Sequence, residues 1–144
     1  MPTQLQPIPY LAFDGTCKQA MDFYADVLGG TLRASMTFGE MPGDYPVPEE
    51  HKSRVMNAQV ELPGGMLLYG GDTPPGSGGS SEMKGIMLAL NFDTVAEAEA
   101  VFNRFADGGN VTMPFGETFW AERFGMVTDK FGTHWGINAG LRKL

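Results

Sequence analysis

The sequence carries an internal repeat. Residues Phe13 to Gly30 align without a gap on Phe92 to Gly109, so that Phe13-Asp14 falls on Phe92-Asp93, Phe23 on Phe102, and Gly29-Gly30 on Gly108-Gly109. In each copy an apolar run ends in Phe-Asp, an amphipathic stretch follows, and a Gly-Gly pair leads into a new β-like run. This is one strand-helix-strand unit used twice, and a repeat constrains a fold more than any single motif.

The chain has 144 residues, which suits one compact domain, and either half alone would be marginal as an independent fold. We therefore expect one domain over 1–144 made of two modules, 4–72 and 85–140, joined by a flexible Gly/Ser/Pro linker over 73–84. The net charge is −7 with no Lys/Arg cluster. That argues against nucleic acid, whose binding rests on cationic contacts. The first residues lack a basic and then apolar leader, and no later run approaches the ~20 apolar residues of a membrane span. The single cysteine, Cys17, rules out an intrachain disulfide. The expectation is a cytoplasmic protein with neither a membrane nor a nucleic-acid partner.

Helical periodicity is clear at Cys17, Ala20, Met21, Tyr24, Val27 and Leu28, which form one apolar stripe. Thr16 and Gln19 have the spacing of a capping box, and Gly29 suits the left-handed position after the helix. The second helix repeats the grammar. Thr94 and Glu97 make the box, Val95, Ala98, Phe102, Phe105 and Ala106 make the stripe, and Gly108-Gly109 ends it.

Strands fill most of the remainder. From Met56 to Leu62 the pattern alternates, with Met56, Ala58, Val60 and Leu62 on one face and Asn57, Gln59 and Glu61 on the other. Pro63-Gly64-Gly65 then turns the chain into a strand over Met66 to Gly70. Gly85 to Phe92, Asn110 to Phe115, Phe119 to Thr128 and Thr133 to Ala139 read as further strands. The proline-rich, acidic stretch from Gly39 to Lys52 is a solvated connection. The predicted order is β-α-β-β-β, twice.

That order resembles the vicinal oxygen chelate, or glyoxalase/bleomycin resistance/dioxygenase, superfamily. Phe38-Gly39-Glu40-Met41-Pro42, Glu117-Thr118-Phe119-Trp120, Phe124 to Gly132 and Trp135-Gly136-Ile137-Asn138 are similar to its PhnB-like branch, sometimes labelled demethylubiquinone-methyltransferase-like. The resemblance implies an α+β fold in which the two modules form curved mixed sheets around a cleft, and it implies a homodimer. It also implies four metal-ligand places, on the first and last strands of each module. Here they fall near Pro9, on Leu68 or Tyr69, on Ile86 or Met87, and on Gly136. None carries a His, Gln or Glu, so we expect no metal and no cofactor.

Six polar or aromatic residues are the candidate ligand contacts. Asn57, Gln59 and Glu61 share a strand face. The PhnB-like pattern often has His where this chain has Asn57, and an amide neither titrates nor ligates as imidazole does. Glu117 and Trp120 lie in an aromatic cluster with Phe115, Phe119, Phe124, Phe131 and Trp135, and aromatics beside carboxylates suit a flat or cationic ligand. His134 falls on the Gly136 face of the last strand. Cys17, on the helix stripe, is expected to be a small core residue, and His51 to be solvated. No glycine-rich nucleotide loop followed by a helix is present, which argues against conventional methyl transfer.

The expected function is metal-independent binding of a small molecule, with catalytic residues unassigned. Two alternatives stand beside it. One is a lyase, isomerase or dioxygenase that recruits a metal through His134 with Glu61 or Glu117. The other is a resistance protein that sequesters a cationic antibiotic.

Overall fold

The computed structural model describes residues 5–44, 46–74 and 82–143. The chain divides into two compact units, Met1–Ser81 and Glu82–Leu144. The linker expected over 73–84 lies largely outside the described residues.

The first unit runs β1 (Tyr10–Phe13), α1 (Cys17–Leu28), β2 (Thr31–Thr37), β3 (Val55–Glu61) and β4 (Leu67–Asp72). The second runs β5 (Leu88–Phe92), α2 (Val95–Ala106), β6 (Asn110–Gly116), β7 (Ala121–Thr128) and β8 (His134–Leu141). Each forms a four-stranded sheet, ordered β1-β4-β3-β2 and β5-β8-β7-β6. In each, the first strand pairs parallel with the last and the other pairs are antiparallel. The repeat in the sequence is thus a repeat in topology, and the fold is the predicted α+β arrangement of two β-α-β-β-β modules. The fourth strand of each module begins inside the predicted run. β5, however, starts at Leu88, so Gly85, Ile86 and Met87 precede it.

One helix covers one face of each sheet. In the first unit the apolar stripe of α1 sets Met21 and Tyr24 against the sheet's buried residues, among them Phe13, Ala58 and Val60. In the second, Phe105 of α2 stacks on Trp135 of β8 at 4.6 Å between ring centroids, and Phe102 stacks on Phe115 at 5.3 Å. Large rings packed in this way dominate the burial that stabilises a small core.

The two helices are capped differently, and here one expectation is corrected. Thr94 Oγ1 accepts the Glu97 N–H at 3.2 Å, as its sequence position predicts. Thr16 makes no side-chain cap. Its place is taken from outside the helix by Asp72, at the end of β4, whose Oδ1 accepts the N–H of Gly15 at 2.8 Å and of Cys17 at 3.1 Å. The other oxygen, Oδ2, accepts Val55 N–H at 2.8 Å. A buried carboxylate is stable there because each N–H supplies a charge-assisted hydrogen bond. At the other end of α1, Gly29 takes φ 68°, the left-handed cap.

A second correction concerns β3. Ala58 and Val60 face α1 as predicted, but Met56 does not join them. Met36 and Thr37 of β2 pair with Asn57 and Val55, so Met56 is an extra residue at an irregularity, and Val55 is buried in its stead. A bulge of this kind reverses the side-chain alternation beyond it.

Candidate sheet-face site of the second unit

Alternation along β8 sends Trp135, Ile137 and Ala139 into the buried core of the unit, Trp135 against α2. His134, Gly136 and Asn138 therefore stand on the opposite face. Cross-strand pairing places Thr128, Met126 and Phe124 of β7 beside them, and Ala89 and Asn91 of β5 beside Gly136 and Asn138.

Part of this face is a cavity of about 330 Å³, lined by Gly85, Ile86, Met87, Thr112, Met126, Val127, His134 and Trp135. Gly136 lies beside it, and its missing side chain lets Met87, one of the lining residues, pack over the strand. A Cβ there would lie 2.7 Å from Met87 Cε and 2.8 Å from its Sδ. In the first unit the register-equivalent residue, beside Tyr10 of β1, is Tyr69. A phenol stands there where the second unit has a glycine covered by Met87.

His134 stands at the polar end of the cavity with both ring nitrogens engaged. Nε2 lies 2.8 Å from the carbonyl oxygen of Met83, and Nδ1 lies 2.7 Å from Thr128 Oγ1. A carbonyl only accepts, so Nε2 carries a proton, and Nδ1 pairs with the Thr128 hydroxyl. The ring thereby ties the segment that carries Ile86 and Met87 to the start of β8.

Toward the other end of β8, Trp120 Nε1–H donates to Asn138 Oδ1 at 3.0 Å, and Asn138 Nδ2–H donates to Asn91 Oδ1 at 3.0 Å. Trp120 also packs edge-on against Phe124 at 5.3 Å and against Phe119 at 4.9 Å. Phe119 is 74 % exposed.

The six predicted residues divide between the units, three in each. Gln59 Nε2–H donates to Asn57 Oδ1 at 3.3 Å, both half-buried on the face of β3 away from α1. Glu61 is exposed at the end of that strand, with Arg33 Nη1 at 3.9 Å. In the second unit Trp120 and His134 stand at different ends of β8. Glu117 meets Arg142 at 3.2 Å in an exposed ion pair. Asn138, Asn91 and Met126 were not among the candidate contacts, and Met87 was named only as a metal-ligand place. The only early signal for Asn138 was its place in the Trp135-Gly136-Ile137-Asn138 motif. His51, expected in solvent, is half-buried. Cys17 is fully buried, and that burial, helped by the Asp72 and Asp22 carboxylates, pushes its thiol up to about 12.

The four metal-ligand places implied by the resemblance do not fit a divalent ion. The carbonyl of Pro9 accepts Tyr69 N–H at 2.9 Å, Met87 precedes β5, and Gly136 has no donor. Among the described residues no three His, Cys, Asp or Glu side chains converge. Thioether, phenol and glycine are not the hard oxygen or imidazole donors such ions require.

A family model described as Glyoxalase/Bleomycin resistance protein/Dioxygenase superfamily matches residues 8–137. The chain is 35% identical to Protein YjdN of Escherichia coli over 138 residues, covering 90% of this chain and 92% of that one. Among solved structures, protein PA1353 from Pseudomonas aeruginosa is 43% identical, with a TM-score of 0.84 over 95% of this chain and 98% of that one. A putative 3-demethylubiquinone-9 3-methyltransferase, PhnB protein, from Bacillus cereus shares the fold at 21% identity, with a TM-score of 0.76 over 94% of this chain and 100% of that one.

Proposed function

The chain belongs to the Glyoxalase/Bleomycin resistance protein/Dioxygenase superfamily, and from that premise we propose that it binds an organic small molecule, without a resident metal, on the open sheet face of the second unit. The cavity bounded by Met87, Met126 and His134 carries this reading. Its volume lies at the lower end of the range for small-molecule sites, and its walls are apolar except for Thr112 and His134. The two methionines that flank Gly136 are soft and adaptable, and their sulfurs favour the edges of aromatic rings. The PhnB-like motifs support placing the chain in that branch. Methyl transfer is not part of the proposal. The turns into α1 and α2 are Asp14-Gly15-Thr16 and Asp93-Thr94, and the N–H groups of Gly15 and Cys17 already serve Asp72. Neither turn is a glycine loop able to wrap a nucleotide.

Asn57, Gln59 and Glu61 form a separate polar face on the first unit, proposed as a further ligand contact. A homodimer belongs to the same proposal, supported by exposed Leu32 and Met36 on the edge strand β2, and light scattering across a dilution series should give twice the chain mass. The proposed setting is the cytoplasm, to be checked by cell fractionation.

The cavity is tested with N-phenyl-1-naphthylamine, a neutral dye that fluoresces in apolar surroundings. Wild-type protein should enhance its emission saturably, and Gly136→Leu, which collides with Met87 and so rebuilds the cavity wall, should weaken binding at least tenfold. Met87→Ala, which widens the cavity, should retain saturable binding and controls for misfolding. Equal affinity for wild type and Gly136→Leu would overturn the site.

A further inference from the structure

We propose that the sheet-face site of the second unit selects a flat, apolar ligand bearing a carbonyl or similar hydrogen-bond acceptor, and that Asn91 is the residue that reads the acceptor. The inference rests on the cavity reading above and adds the polarity of its ligand.

The hydrogen bonds among Trp120, Asn138 and Asn91 have a direction. Indole nitrogen can only donate, so Trp120 fixes Asn138 Oδ1 as its acceptor. That fixes the Asn138 amide with its Nδ2 toward β5, where Asn91 Oδ1 accepts. Asn91 is therefore left with its Nδ2 hydrogens outward, and these have no partner among the described residues. Asn138 is only 8 % exposed. A buried amide costs free energy unless its hydrogen bonds are made, and here both of its ends are used to orient a neighbour that is itself exposed.

The exposed donor lies next to the cavity. Ala89 pairs with Gly136 and Asn91 with Asn138, so the donor is two residues, about 6.6 Å, along the strand from Ala89, whose partner Gly136 is covered by Met87 of the cavity wall. Ala89, exposed on the same face, spans the gap, whereas the Phe124 ring on the far side of β8 is buried. A planar ligand with its body between Met87 and Met126 and its length over Ala89 brings an acceptor at its far end to Asn91. A cation is not favoured there, since the free group is a donor.

The test uses three probes of similar shape, acetophenone, ethylbenzene and benzamidine, titrated by amide-shift NMR against wild type, Asn91→Asp and Gly136→Leu. Asn91→Asp keeps an acceptor for Asn138 but removes the outward donor and adds a negative charge. Wild type should bind acetophenone about tenfold more tightly than ethylbenzene, as expected when a site built to hydrogen-bond a ligand meets an analogue lacking the partner. Asn91→Asp should lose that tenfold preference, gain at least tenfold for benzamidine, and hold ethylbenzene within twofold. A merely structural Asn91 would move all three probes together or none, and either result overturns the assignment. If Gly136→Leu weakens every probe while wild type shows no acetophenone preference, the cavity stands and the role of Asn91 falls. If Gly136→Leu weakens none, the cavity reading itself has failed.

Discussion

Val60 and Gln59 are neighbours on β3 with opposite duties. Val60 is fully buried against α1, whereas Gln59 is half-buried on the other face, its side chain bonded to Asn57. Val60→Ala should cost about 1–3 kcal/mol through lost methyl groups and the cavity left behind. Gln59→Ala should stay within about 0.5 kcal/mol. Urea denaturation that ranked them in reverse would put β3 inside out. Cys17 gives a pH prediction. Its thiol is raised to about 12 in the folded chain against 9.0 for an unperturbed thiol. The neutral form is thus favoured by folding, and the stability this contributes is fully present below about 9 and lost as pH rises from there toward 12. Melting temperatures of Cys17→Ala should fall less steeply than wild type over that interval. Parallel alkaline limbs would refute the assignment.

At the scale of elements, two helices with similar sequence grammar are held by different devices. Thr94 caps α2 with its own side chain, so Thr94→Ala should cost about 1 kcal/mol. Thr16 caps nothing, and Thr16→Ala should be close to neutral. Asp72→Ala removes the acceptor of three backbone N–H groups, Gly15, Cys17 and Val55, and should cost on the order of 3 kcal/mol or more. The ranking Asp72, Thr94, Thr16 in chemical denaturation is the check, and a large Thr16 effect would restore the local capping box. The reason for the difference is distance in sequence. Asp72 lies 57 residues from Gly15, so no local spacing rule could have paired them. Asp129 serves similarly within its turn, where Oδ1 accepts Phe131 and Thr133 N–H and Oδ2 accepts Trp135 Nε1–H.

For the molecule as a whole, the metal prediction is the sharpest. Tyr69, Met87 and Gly136 stand at or beside the superfamily's ligand places, and no cluster of His, Cys, Asp and Glu replaces them among the described residues. Protein purified without chelator should therefore contain well under one equivalent of zinc, nickel, iron or manganese by elemental analysis. A near-stoichiometric value would show that ligands come together in a way the separate units do not reveal, and would return the chain to the metal-dependent enzymes of its family.

The amino-acid sequence by itself determined the duplicated β-α-β-β-β order, both helices and their terminal glycines, the alternation of most strands, and the family. These follow from periodicities of 3.6 and 2 residues and from turn chemistry, which act over a few neighbours at a time. The site was legible only in part. Trp120 and His134 were named as candidates, but not that they stand at different ends of β8, and the candidate residues on β3 belong to the other unit. The cavity depends on where Met87 comes to rest over Gly136, and the Trp120–Asn138–Asn91 chain joins residues 18 and 47 positions apart. Only tertiary structure decided these, because strand pairing sets which side chains meet across a sheet, and that register is the sum of contacts along the whole module.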